Sequence, residues 1–190
     1  MNLMQCSLLL SSNFSDDPLF RYAFQGTDDQ RHRAMDAYFA AALEFCLAEG
    51  NIILAPGNTG LVAWIPGTAF PPAFDQNRIS SQPSYAIAGW EQLNRQQMAA
   101  FDVIRENAVK FGFCYLLAVD FSVRRRGYAR MLMDACFDQM AEAGLEECWL
   151  ITENEANLAI LESMGFEKFT TLHQPGAPLS YICRKAISLH

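Results

Sequence analysis

The sequence predicts an α+β fold in one domain, a mixed β-sheet flanked by helices, and three observations carry that expectation. Residues 113–119, FCYLLAV, are a continuous apolar run of the kind needed by a strand buried on both faces. After them Tyr128, Met131, Leu132, Ala135, Cys136, Met140 and Ala143 recur at helical spacing until Gly144, and CWLIT then supplies a second short apolar strand. Strand, helix, strand in that order implies a parallel pair. NIILAP and GLVAWIPG, by contrast, flank Gly57-Asn58-Thr59-Gly60 and read as two strands joined by a tight turn.

The remaining elements follow along the chain. In DDQRHRAMDAYFAAALEFCLAEG, Met35, Tyr38, Phe39, Ala42, Leu43 and Cys46 share one face, which predicts a helix ending at Gly50. Prolines at 66, 71, 72 and 83 mark an irregular stretch, and a polar helical segment around Trp90 to Lys110 follows it. A short helix from about Glu155 to Met164 is closed by Gly165, and FEKFTTL and LSYICRK finish the chain as strands. No internal repeat, low-complexity tract or linker divides the sequence.

Composition narrows the function classes. The chain has 190 residues, 51% hydrophobic and 18% charged, enough apolar material for one real core and too little chain for two comfortable domains. A net charge of −7 argues against a nucleic-acid surface and suits amine-bearing small molecules. The six cysteines (6, 46, 114, 136, 148, 183) form no C-x-x-C pair and have no histidine at zinc spacing, so they read as reduced core residues, with no metal site. That usage fits a cytoplasmic protein. The opening MNLMQCSLLLSS lacks a basic n-region and makes a poor signal peptide, and no apolar run is long enough for a bilayer, so no membrane role is expected. Without secretion, Asn13-Phe14-Ser15 is a chance glycosylation sequon.

The stretch FSVRRRGYARML concentrates Arg124, Arg125, Arg126 and Arg130 in seven positions where a buried strand turns into a helix. Helix-start N–H groups lack internal partners and carry the positive end of the dipole. Gly127 has no Cβ to keep an anion from its N–H, and Ala129 keeps the first turn slim. Two readings follow: a pyrophosphate cradle, or a solvated basic turn paired with acidic neighbours.

The run Arg124-x-x-Gly127-x-Ala129 resembles the Q/R-x-x-G-x-G/A motif of the GNAT N-acetyltransferase superfamily. Around it, LLAVDFSVRRRGYARMLM is similar to that family's strand, loop and helix, and WLITENEANLAILESMGF to its next strand and N-x-x-x-x-x-x-x-G-F ending. The likeness covers roughly the last 80 residues. Within the superfamily, DDPLFRYAF, VAWIPG and SYICRK look most like the puromycin-acetyltransferase-like branch. The resemblance implies the GNAT acyl-CoA N-acyltransferase fold, whose parallel strands splay apart. It also implies a single domain over 1–190, with a cofactor-binding core at about 112–190 and acceptor-side elements at about 1–111.

For chemistry, the resemblance implies direct transfer of acetyl from acetyl-CoA to the primary amine of a small molecule. Arg124, Arg125, Arg126, Gly127, Tyr128, Ala129 and Arg130 would hold the pyrophosphate. Backbone groups of Leu117, Ala118 and Val119 would hold the pantetheine and thioester, with the Val119 N–H as oxyanion donor. Asn157 matches the asparagine that contacts the cofactor arm, although asparagine at a helix start is also a common cap. Leu161, also at the cofactor, departs from the tyrosine the family often uses to protonate the leaving thiolate. A thiol pKa of about 8.5 makes that anion a tolerable leaving group without it.

The general base is left open. Glu153, beyond the second strand, can face the amine or be a solvated loop residue. Tyr181 matches an aromatic position of the puromycin-like branch and can line the acceptor pocket or simply pack. Trp64 and Trp90 are weaker pocket candidates, and His32, His173 and His190 carry no assignment. Monomer and homodimer both fit. The alternative to an enzyme is an acyl-CoA-binding sensor of the same fold, motivated by Leu161. A dinucleotide or nucleotide-triphosphate site is disfavoured, because neither G-x-G-x-x-G nor G-x-x-x-x-G-K-[ST] occurs.

Overall fold

The computed structural model describes residues 2–188, leaving Met1, Leu189 and His190 outside the described residues. Helices α1 (Leu3–Phe14), α2 (Pro18–Ala23) and α3 (Asp28–Glu49) open the chain. The hairpin β1 (Asn51–Leu54) and β2 (Gly60–Pro66) follows, then α4 (Gln76–Ser80) and α5 (Ser84–Asn107). The second half runs β3 (Phe111–Val119), α6 (Tyr128–Glu142), β4 (Glu147–Thr152), α7 (Ala156–Ser163), β5 (Glu167–Leu172) and β6 (Ser180–Ala186).

Local chemistry sets these boundaries. Thr27 caps α3 through a capping box, its hydroxyl taking the Gln30 N–H while the Gln30 side chain takes the Thr27 N–H. Asn2 and Gln5 do the same for α1, which composition alone had marked only as a poor leader. At the end of α3, Gly50 is needed for contact rather than for handedness: a Cβ there would lie 2.1 Å from the Trp64 carbonyl oxygen. The helix expected from about Trp90 begins earlier, at Ser84, directly after Pro83.

The six strands form one mixed sheet in the order β1-β2-β3-β4-β6-β5, so both halves of the chain contribute to it. Its two faces are covered by different helices, and alternation along β2 shows how. Leu61, Ala63 and Ile65 join the core under α1, α2, α3 and α5, whereas Val62 and Trp64 join the core under α6 and α7. The central strands β2 and β3 are almost wholly apolar because both of their faces are covered.

One irregularity matters for function. β3 and β4 are parallel partners only over Phe111–Phe113, opposite Glu147–Trp149. Beyond that point β3 stays with β2 as far as Gly60↔Val119, while β4 stays with β6 as far as Thr152↔Tyr181. Ala63 pairs with Leu116 but Trp64 with Cys114, leaving Tyr115 as the extra residue of a bulge. The bulge bends β3 just where the two parallel strands part. The splay implied by the resemblance is therefore present.

Candidate active site

The gap between β3 and β4 leaves one edge of β3 unpaired from Cys114 onward. The Asp120 N–H bonds the Thr59 carbonyl at 2.8 Å, on the β2 side. Alternation then aims the Ala118 N–H at β2 and the N–H groups of Leu117 and Val119 into the gap. Of the three backbone positions expected to meet a thioester, two present donors there, and Ala118 instead contributes a buried side chain.

The glycine turn expected to form the cradle begins one loop later. Arg125 (φ +63°) and Gly127 (φ +83°) are both left-handed and tighten the turn into α6. The first intrahelical bond runs from the Met131 N–H to the Gly127 carbonyl, so the N–H groups of Tyr128, Ala129 and Arg130 have no helical partner. No acidic residue occupies that first turn, and a Cβ built on Gly127 meets nothing within 4 Å. The positive helix end thus faces open space.

The four arginines divide the work. Arg125 and Arg126 are exposed, and none of the four forms an ion pair with an acidic side chain among the described residues, although the charge of Arg124 contributes, after the Ser122 bonds, to lowering the Asp120 carboxyl. Arg124 is already engaged: it donates to Asn13 Oδ1 at 2.7 Å and to the Val119 carbonyl at 3.4 Å, and it lies 3.7 Å over the Phe121 ring. The Arg130 guanidinium turns away to the Ser163 carbonyl and hydroxyl, tying α6 to the end of α7. It acts as a C-terminal cap, and only its backbone N–H faces the cradle.

On the β4 side, Asn157 donates to Thr152 Oγ1 at 3.0 Å. Asn157 does not cap α7; Asn154, just before the helix, accepts the Ala156 N–H at 3.1 Å in a turn leading into it. Leu161 is buried in the core under α6 and α7.

Glu153 is not a solvated loop residue. It is 8% exposed, and Ser180 donates to its Oε1 at 3.1 Å. Burial first, and then the nearby charge of Asp17, push its carboxyl up to about 8, against the weaker pull of the Ser180 bond. Tyr181 is placed on the opposite face: it pairs with Thr152, beside Leu150 and Cys183 of the α6/α7 core, whereas its neighbour Ser180 faces Glu153. The structure does not bring Tyr181 and Glu153 together, so Tyr181 packs on the Asn157 side. Trp90 sits in an aromatic cluster 5.7 Å from Tyr38 and 5.8 Å from Phe74, and Trp64 donates to Gln139, so both are core residues.

Four polar side chains of the network around Glu153, in contact with it or one bond removed, were given no role by the sequence reading. Asp17 caps α2 through the Leu19 N–H, and burial raises its carboxyl to about 6. The hydroxyls of Tyr38 and Tyr115 meet at 2.6 Å, with Glu153 adding to the upward shift of Tyr38. Gln96 had a legible signal, since a polar residue stands in the apolar stripe of Trp90, Leu93, Ala100 and Ile104.

The sequence model of the GNAT acetyltransferase family matches residues 27–166. The chain belongs to the GNAT family. Over 79 residues it is 35% identical to the [ribosomal protein bS18]-alanine N-acetyltransferase of Salmonella typhimurium, a match covering 39% of this chain. The chain spans about half the length of that curated relative, 51%. Two solved GNAT structures superpose over nearly the whole chain. One, from Corynebacterium glutamicum and titled histone acetyltransferase HPA2 and related acetyltransferase, has a TM-score of 0.65 at 16% identity, over 99% of this chain and 92% of that one. The arylalkylamine N-acetyltransferase 2 of Aedes aegypti has a TM-score of 0.62 at 14% identity, over 97% and 94%. At such identities the likeness establishes the shared GNAT fold.

Proposed function

We propose that this GNAT protein transfers the acetyl group of acetyl-CoA to the primary amine of a small molecule, in one domain whose residues about 112–190 hold the cofactor while about 1–111 shape the acceptor side. The observation that carries the reading is the opening between β3 and β4. Unpaired backbone donors of β3 line one wall, an uncompensated helix start lies beyond it, and a buried carboxyl ends the other strand.

In this reading the N–H groups of Tyr128, Ala129 and Arg130, with Arg125 and Arg126, hold the pyrophosphate. Asn157 meets the cofactor arm, and the Val119 N–H faces the thioester oxygen, where it stabilises negative charge as the amine adds. Acetyl-CoA supplies the activated acyl carbon. Ionised Glu153 takes one proton from the ammonium, the neutral amine attacks, and the C–S bond breaks; the second amine proton passes through water to the departing thiolate, since Leu161 offers no phenol to protonate it.

A buried Leu161 also suits a protein that binds acyl-CoA without transfer. One experiment separates the readings: free CoA is measured by mass spectrometry after mixing protein and acetyl-CoA with a pool of small amines, with an alanine-ended peptide, and with neither. Release that depends on a small amine supports the proposal. Release with the peptide alone moves the acceptor to proteins, and binding without release identifies a sensor.

A further inference from the structure

We propose that Ser180 and Gln96 are positioning residues for Glu153, a hydrogen-bond relay running from α5 through the start of β6 that orients the carboxylate and leaves its Oε2 to receive the amine proton. The inference rests on Glu153 as the base.

The direction of the relay follows from its far end. Gln96 Nε2 lies 2.9 Å from the Pro178 carbonyl and 3.1 Å from Ser180 Oγ. A carbonyl can only accept, so the amide nitrogen, not its oxygen, must point there, and both its hydrogens are committed. Ser180 Oγ therefore accepts from Gln96, and its single proton is directed to Glu153 Oε1 at 3.1 Å. Each bond points toward the carboxyl, so the relay favours the ionised form against burial. Gln174 holds the other side of Gln96, donating to its main-chain carbonyl at 3.0 Å.

Burial makes the arrangement rigid. Ser180 is 1% and Gln96 2% exposed, too little for water to substitute freely for either. The other titratable groups facing Glu153 are Asp17 at the start of α2 and Tyr38 of α3, whose hydroxyl is held by Tyr115 of β3. Asp17 opposes ionisation of Glu153, and no cation pairs with it among the described residues. The hydroxyl of Ser180 is thus the side-chain group that favours the base form, and Gln96 Oε1 has no hydrogen-bond partner among the described residues, so the amide is held through its nitrogen alone.

The test is carboxyl-carbon NMR titration of the full chain labelled at glutamate, with the Glu153 signal assigned by its loss in Glu153→Gln. The wild-type midpoint is expected at about 8. Ser180→Ala should raise it by about one pH unit, the size of one lost hydrogen bond to a charged group. Gln96→Met should raise it by less, and should add nothing further in the Ser180→Ala background. Ser180→Thr, which keeps the hydroxyl, should return it toward the wild-type value. An unmoved midpoint in Ser180→Ala, or a Gln96→Met shift that persists in full on top of it, overturns the relay. If Ser180→Ala does not fold, Gln96→Met and Ser180→Thr carry the test, and an unmoved midpoint in Gln96→Met overturns it. Full amine-dependent CoA release by Glu153→Gln removes Glu153 as base while leaving the titration shifts intact, so the two failures read differently.

Discussion

Gly127 and Gly144 stand at opposite ends of α6 and make a matched pair. Both are left-handed, at φ +83° and +71°, and a Cβ added to either meets nothing within 4 Å. Alanine at each position therefore carries the same backbone penalty, about 1–2 kcal/mol, and no steric one. For a chain of this size that lowers the melting temperature by about 2–8 °C in either variant. Only Gly127 adjoins the free N–H groups of Tyr128, Ala129 and Arg130, so only there would a bound phosphate meet the new methyl. Disturbing one charge-assisted hydrogen bond there weakens acetyl-CoA by about ten- to a hundredfold. The assay is thermal unfolding with cofactor at a hundred times its wild-type dissociation constant, where binding stabilises the fold by about 2.7 kcal/mol. Gly144→Ala should keep that increment, whereas a hundredfold weaker Gly127→Ala retains only about 0.4 kcal/mol. Equal cofactor-dependent shifts in the two variants would refute the cradle.

Other outcomes test the remaining parts of the site. Glu153→Gln should abolish amine-dependent CoA release, and the wild-type rate should rise as pH increases through about 8, where the base ionises. The sign for stability is opposite: the folded protein retains this proton between the ordinary value of 4.5 and about 8 while the unfolded chain has lost it, so stability falls as pH rises through that window. Asp17 acts in the same direction between 3.8 and about 6. Melting curves from pH 5 to 8.5 should therefore decline in the wild type and decline less in Glu153→Gln, and a flat wild-type curve contradicts a buried acid. Arg130→Ala should lower stability by about 1 kcal/mol through loss of the Ser163 bonds, and should weaken acetyl-CoA far less than Arg126→Ala does. Titrating cofactor at two salt concentrations checks this, because the Arg126 contribution should shrink with added salt.

The parts legible in the sequence were those set by short-range chemistry. An apolar run, a glycine at a helix start and an apolar series at helical spacing are contiguous, so β3, the glycine turn and α6 could be placed from residues 113–144 alone. What stayed hidden depended on contacts across the chain. Glu153 could be read as a base or as a solvated loop residue because the helices that cover it, α2 and α3, lie more than a hundred positions upstream. Arg124 and Arg130 looked alike in the string, yet one reaches Asn13 and the other Ser163. For Tyr181 the sequence left lining the acceptor pocket and packing both open, because one residue of register separates them: Ser180 faces the acid and Tyr181 the other side of the sheet, a distinction set by pairing with β4.

The splay joins these pieces into one argument about chemistry. If β3 and β4 had remained paired past Phe113, the Leu117 and Val119 N–H groups would bond β4 and have nothing left for a substrate. The bulge at Tyr115 lets the strands part, and the same residue holds the Tyr38 hydroxyl beneath the carboxyl that ends β4. Under the proposed function, separation of the strands would leave backbone donors free on one wall to stabilise negative charge, facing a strand that ends in a carboxyl whose burial raises its affinity for the proton of an ammonium. Removing the extra residue, by deleting Tyr115, should restore regular pairing of β3 and eliminate transfer. A deletion variant that folds and still releases CoA on adding amine would show that the opening does not depend on the bulge.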